Sequence, residues 1–426
     1  MRVALAPSVD LHTGYHASVR ELVPDSVELT RSDATHWFLL PAGAGSPHQT
    51  LPAGEFIELP APADVVHSAR IPVFNARAWI ADSDDLALPL VCGRHFVHAP
   101  FRTAFAAGWN ECLRQRLRCR AMAMLSAYLH PSCGGILLRG QPALMTASLR
   151  NLCARLDLEA LGEEFLRKVR VVRPAQAPAD AALVQAKWSP SSRPTVVFCG
   201  RDFHTKHGLL ALRVMARVRR RFPAVRWVYL GNIPQAVLQS EPQLLEGVEY
   251  RASAPHPEVL SIFASAHVLF HPSRFESVGI SLMEAAAAGM VLLAARGPGL
   301  DYVDELSSAG GAWLVDRTHG EIDEIERFSA LLTSILESPD QAREQGLANR
   351  RLFVSGSFSI AQNRATLSDL YAAAQAYRGE PLRRDDLGVP AGHRWHSMSG
   401  AEVRDDEIAY RQANAELVLR QNLTAG

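Results

Sequence analysis

The residues best equipped for chemistry lie between His256 and Glu305, in the run HPEVLSIFASAHVLFHPSRFESVGISLMEAAAAGMVLLAARGPGLDYVDE. Glu276 and Glu284 stand eight positions apart there, with Ser277, Val278, Gly279 and Ile280 between them. The pattern puts Glu276 in a loop, the start of a helix near Ser277 to Gly279, and Glu284 inside that helix. Carboxylates accept hydrogen bonds from a polyol, while the free N–H groups and dipole of a helix start face an anion. Such a set suits a ligand that carries both hydroxyls and phosphate. About seventy residues upstream, Pro194 to Arg201 reads PTVVFCGR and is followed by DFHTKHG. Gly200, Arg201 and Lys206 thus occupy a loop at the carboxyl end of a strand, where open α/β sheets bind ligands. Arginine offers a fork that can grip phosphate oxygens in pairs, and lysine a point charge.

The elements around these residues must position them. Val268-Leu269-Phe270 is an apolar run of strand type, Ser281 to Ala288 is a strong helix former stopped by Gly289, and Met290 to Ala295 is a second strand. The unit is strand, helix, parallel strand, so the two carboxylates belong to the end of a parallel sheet. A solvated loop glutamate and a surface helix glutamate would give the same spacing by chance. The flanking strands and glycine turns are what separate the two readings.

FESVGISLMEAAAAG resembles the E-x7-E region of retaining glycosyltransferase family 4, whose members have the GT-B architecture. Ser277 fills the small position and Val278 stands where the family has an aromatic residue; Glu276, Gly279, Glu284 and Gly289 match. The GR…K loop matches the same family's diphosphate site. The resemblance implies an α/β fold of two Rossmann-like domains facing a cleft, with a C-terminal helix crossing back to the first. It also implies transfer of a sugar from a nucleoside diphosphate, UDP or GDP, with retained anomeric configuration through front-face departure and attack. Arg201, Lys206 and Glu276 would be the catalytic groups, with Gly200, Ser277, Val278, Gly279, Ile280 and Glu284 binding the donor and Glu284 taking the ribose. Gly14 is the one glycine where the family has a glycine-rich turn. The reaction would need no metal and no cofactor beyond the donor. A nucleotide-sugar epimerase and a silent GT-B partner subunit are the alternatives on the same architecture.

Length and composition bound these expectations. A chain of 426 residues is long for one core and suggests two domains. Residues 1–175 would form the acceptor domain, 176–193 a Pro/Ala/Ser-rich linker, 194–356 the nucleotide-sugar domain, and 357–426 the crossing helix and a polar tail. Lys+Arg and Asp+Glu both number 44, so no global charge draws the chain to nucleic acid. The six cysteines include no CxxC pair and read as reduced thiols of a cytoplasmic protein. No apolar run reaches 18 residues, and MRVALAPSVD is not a secretion leader, so peripheral contact at the inner membrane face is the only membrane role expected. The acceptor would be a glycan, lipid, protein or natural product.

Three further groups need placing. Asp82-x-Asp84 is the DxD signature of metal-dependent transferases of another architecture. Here it reads better as a strand end facing the acceptor, with His16 as a further acceptor-side candidate. Arg213, Arg217, Arg219, Arg220 and Arg221 give the segment Leu209 to Phe222 a basic face, either solvated or drawn to an anionic lipid surface. Arg114 to Arg120 has the same two readings, and His204 and His207 lie in the phosphate loop.

Overall fold

The computed structural model describes residues 1–409 apart from 9–18, 20–21, 45–46, 48–49, 62, 84, 92–109, 140–141, 174, 274–275, 277–278, 297–300, 317–319 and 407. Gly14, His16, Asp84, Ser277 and Val278 therefore lie outside the described residues. The chain divides into two compact units. The first holds residues 1–8, Val23–Val172 and the described chain from Thr366 on, and the second holds Val19, Leu22 and Arg173–Ala365.

The second unit is built on a six-stranded parallel sheet with spatial order Val248–Arg251, Arg226–Leu230, Thr195–Cys199, Val268–His271, Val291–Arg296, Ala312–Asp316. Both faces are covered, as a parallel sheet requires. Side chains alternate between two cores: Val196 and Phe198 face the one that holds Leu212 and Phe328, while Val197 faces the one that holds Leu282 and Phe353. Counted from 1 to 6 along the chain, the strands run 3-2-1-4-5-6. This is the doubly wound order whose switch point, between strands 1 and 4, opens a crevice at their carboxyl ends.

Several local expectations meet their structure here. Helix Ile280–Ala287 and strand Val291–Arg296 follow one another as the apolar pattern implied. Residues 181–187, expected within a linker, form a helix capped by Asp180, whose Oδ1 accepts from Ala182 N–H at 2.7 Å. Val184 of that helix is fully buried in the second unit. One anchoring valine in a Pro/Ala/Ser-rich stretch is too little periodicity to read as an element. Lys187 beside it is buried and donates to Ala288 O at 2.5 Å and Phe263 O at 3.4 Å, closing the C-terminal ends of two helices.

The basic face of Gly208–Arg219 is internally neutralised. Arg213 bonds Glu321 at 2.7 Å and Glu241 at 2.9 Å, and Arg219 donates to the carbonyls of Gln243 and Leu244. Arg217 pairs with Glu326 and Arg221 with Glu337. These arginines hold helix Glu321–Glu337 and the 242–245 turn more than they offer charge to a lipid surface.

The first unit has its own six-stranded parallel sheet: Glu28–Arg31, Arg2–Ala6, Val65–Ala69, Trp79–Ser83, Cys133–Leu138, Val169–Val171. A second, four-stranded sheet runs His393–Ser399, Thr35–Pro41, Gly54–Glu58, Val73–Phe74. The polar tail thus supplies an edge strand, paired antiparallel with Thr35–Pro41 over seven residues. Helix Glu111–Leu129 begins at Asn110, whose Oδ1 accepts from Leu113 N–H at 2.9 Å. It ends on Lys168 Nζ, which donates to the carbonyls of Tyr128, Leu129, His130 and Cys133. Arg120 on this helix is buried, bonded to Pro52 O and Pro89 O. The expected terminal helix is Ile360–Ala376; its buried Leu367, Leu370, Tyr371 and Ala374 recur at helical spacing. No helix among the described residues is long and apolar enough to cross a membrane.

Candidate functional site

The switch point of the second unit gathers the charged residues. Strand Thr195–Cys199 runs into Gly200 and Arg201, and a series of turns then carries the chain to helix Gly208–Arg219. Asp202 shapes those turns, accepting from Thr205 N–H at 2.8 Å and, through its carbonyl, from Lys206 N–H at 2.9 Å. Lys206 folds back over Gly200. A Cβ at Gly200 would lie 2.6 Å from Lys206 Cγ and 2.8 Å from Lys206 Cβ, so only glycine leaves the lysine this path. His207 closes the loop in a left-handed conformation, buried beside Glu324 at 3.7 Å, and so serves the loop's shape.

The strand on the other side of the switch point, Val268–His271, leads to Glu276. Lys206 Nζ donates to Glu276 Oε1, an ion pair that joins the loops after strands 1 and 4. His271 Nε2 lies 2.7 Å from the same oxygen. Burial alone would push Glu276 up, but the hydrogen bond and charge of His271, followed by those of Lys206, hold it at about 2. It is a fixed anion at any ordinary pH.

Helix Ile280–Ala287 starts at Gly279, whose φ of 66° is open to glycine at little cost. Glu284 on it is buried, and its Oε1 lies 2.6 Å from His256 Nε2 at the start of helix His256–Ser265. Burial raises its proton affinity, and His256 works in the opposite direction. Cys199 reports how closely the set converges. Its thiol is pushed up to about 12, by burial first and then by Glu284, while Lys206 and Arg201 act against the rise. Arg201, Lys206, Glu276 and Glu284 therefore converge at the end of one strand. Together they present fixed positive charge, two buried carboxylates and a helix start.

His271 and His256 were not legible as site residues. One ends an apolar strand five residues before Glu276, with no pattern that marks it as the carboxylate's partner, and the other opens a helix 28 residues before Glu284. The acceptor-side candidate Asp82 lies near the end of a strand, as expected. It sits on strand Trp79–Ser83, about 1% exposed, with His67 Nε2 at 3.2 Å from Oδ2. His67 Nδ1 in turn meets Tyr371 Oη at 2.8 Å. Asp82 is thus turned into a buried polar cluster within the first unit, because the strand is covered on both faces. Asp85 accepts from the N–H groups of Ala87 and Leu88 and caps a short helix.

Residues 182–351 match the protein family described as "Glycosyl transferases group 1". Among curated proteins, the chain is 28% identical over 113 residues to the phosphatidylinositol N-acetylglucosaminyltransferase gpi3 subunit of Schizosaccharomyces pombe, covering 26% of this chain and 25% of that one. It is 28% identical over 182 residues to the D-inositol 3-phosphate glycosyltransferase of Segniliparus rotundus, covering 40% and 38%. The matched part thus spans well under half of these relatives' lengths. Among solved structures, the lipopolysaccharide-biosynthesis glycosyltransferase WaaG superposes with a TM-score of 0.54 at 13% identity, over 87% of this chain and 99% of that one. The chain has the GT-B fold, and its residues 182–351 are similar to the glycosyltransferase group 1 family.

Proposed function

We propose that the second unit binds a nucleoside-diphosphate sugar and that the protein transfers the sugar to an acceptor hydroxyl with retained configuration. The observation that carries this reading is the Lys206–Glu276 pair, which spans the switch point from the loops of strands 1 and 4. In the reaction the bond between the anomeric carbon and the diphosphate oxygen breaks, and the acceptor oxygen bonds to that carbon on the same face. The acceptor proton leaves with the departing diphosphate or to solvent. Negative charge grows on the diphosphate, and Arg201 and Lys206 stabilise it in place. Glu276 accepts from sugar hydroxyls, Glu284 accepts from the ribose, and the helix start at Gly279 and Ile280 faces the sugar and phosphate. No protein nucleophile is required, so positioning and fixed charge supply most of the barrier reduction. Because two side-chain cations serve the leaving group, turnover should survive EDTA.

The curated relatives above are named for inositol-containing acceptors and, in one case, for N-acetylglucosamine transfer. UDP-N-acetylglucosamine with an inositol phosphate is therefore the first pair to try. We place the reaction in the cytoplasm, in keeping with the free thiols of Cys112, Cys119, Cys133, Cys153 and Cys199. The direct test is thermal stability of the wild type and Lys206→Ala with UDP, GDP, ADP and dTDP. A nucleotide at about 100 times its Kd should add about 3 kcal/mol to folding. One nucleotide shifting the wild type and not the variant supports the reading; no shift with any of the four overturns it.

A further inference from the structure

Strand Val268–His271 is buried along its whole length, and its first three residues are the apolar ones such a strand calls for. His271 breaks the pattern. It is fully enclosed, paired in register with Ala294 of the next strand, and its Nδ1 has no hydrogen-bond partner. Among the described residues, its side chain makes one hydrogen bond, the 2.7 Å contact from Nε2 to Glu276. A buried ring nitrogen left unbonded weakens the fold, and a leucine here would remove that cost. A side chain that costs stability and bonds only to a site carboxylate is best explained by that carboxylate.

We infer that His271 is a positioning residue for sugar transfer, holding Glu276 in place and partnered when Lys206 turns to the diphosphate. This rests on the donor reading given above. The same oxygen, Glu276 Oε1, receives both Lys206 and His271. The two donors differ in freedom. Lys206 is a long side chain with its tip at the edge of the site, about a fifth exposed, whereas the His271 ring is enclosed and cannot follow a ligand. When a diphosphate draws Lys206 away, Glu276 remains buried and would be left as an unpartnered carboxylate. Such a group takes up a proton and loses acceptor capacity. The Nε2–H of His271 prevents this, so Glu276 stays an acceptor for the sugar hydroxyls at the moment the leaving group departs.

The test compares wild type, His271→Leu and His271→Gln. Gln places an amide donor near the position of Nε2. The readouts are melting temperature, UDP affinity by calorimetry, and kcat for UDP release from UDP-N-acetylglucosamine with water or inositol phosphate as acceptor. His271→Leu should melt at or above the wild-type temperature and bind UDP normally, because UDP lacks the sugar. Its kcat should fall about 10- to 100-fold, the cost of misplacing a reacting-centre group, and the acid limb of its pH–kcat profile should move to higher pH. His271→Gln should recover most of the loss. Wild-type kcat in His271→Leu overturns the inference, and so does a joint fall of kcat, UDP affinity and melting temperature that His271→Gln does not relieve. A wild type that neither binds UDP nor releases it overturns the donor reading itself, and the inference with it.

Discussion

Replacing Lys206 with alanine tests the site through two quantities that should move by different amounts. Glu276 is held at about 2 against an ordinary 4.5, a preference for the ionised form worth about 3 kcal/mol. His271 outweighs Lys206 among the groups that lower it, and burial opposes both, so Lys206 supplies less than half of what offsets burial and sets the net value. The variant should therefore lose about 1–2 kcal/mol of stability at pH 7. The folded value lies below the unfolded one, so this contribution is complete above about pH 4.5 and is lost as pH falls toward 2. Wild type and variant should thus differ in stability at neutral pH and converge in acid. Turnover should respond more strongly, because Lys206 faces charge that develops only as the donor bond breaks. A fall of about 100-fold in kcat, or about 3 kcal/mol, is the expected scale for one such group. The assay is nucleoside-diphosphate release from saturating UDP-N-acetylglucosamine at a temperature where circular dichroism shows the variant folded. A folded variant with near-normal kcat refutes the reasoning.

Gly200→Ala should reproduce much of the Lys206 defect without touching a charge, because the new Cβ would occupy the lysine's path; normal kcat in a folded variant would show that Lys206 has another route. Glu284→Ala should weaken UDP binding about 10-fold with little effect on saturated turnover, and an unchanged Kd by calorimetry would move the ribose elsewhere. Lys187, which burial brings down from 10.5 to about 7, gives a signed pH effect. The unfolded chain holds its proton between those values while the folded one does not, so stability should rise from pH 7 to 9 by about 1–2 kcal/mol. Denaturant titrations of Lys187→Met should lack that rise, and a parallel rise in the variant would assign it to other groups.

Much of the second unit was legible because its signals are local. Glu276 and Glu284 lie on one strand–helix unit, and Gly200, Arg201 and Lys206 follow one apolar strand within seven residues. The first unit was less open to reading. Asp82 reads in sequence as a strand end and is one, but the spacing gave no sign that its carboxylate is buried against His67. Within the polar tail, His393–Ser399 is a half-exposed edge strand, whose alternation is too weak to read from sequence.

The sequence by itself determined the strands and helix start around the site, the E-x7-E spacing and the loop cations, since each depends on residues within a few turns of chain. Only the tertiary structure decided what those groups touch. The 3-2-1-4-5-6 order sets the loop of strand 1 beside that of strand 4, and so pairs Lys206 with a glutamate 70 residues away. Tertiary packing also brings His256 to Glu284 and, separately in the first unit, the tail strand to Thr35–Pro41. Periodicity records which face of an element is buried; which elements become neighbours follows from how the sheet closes around its core.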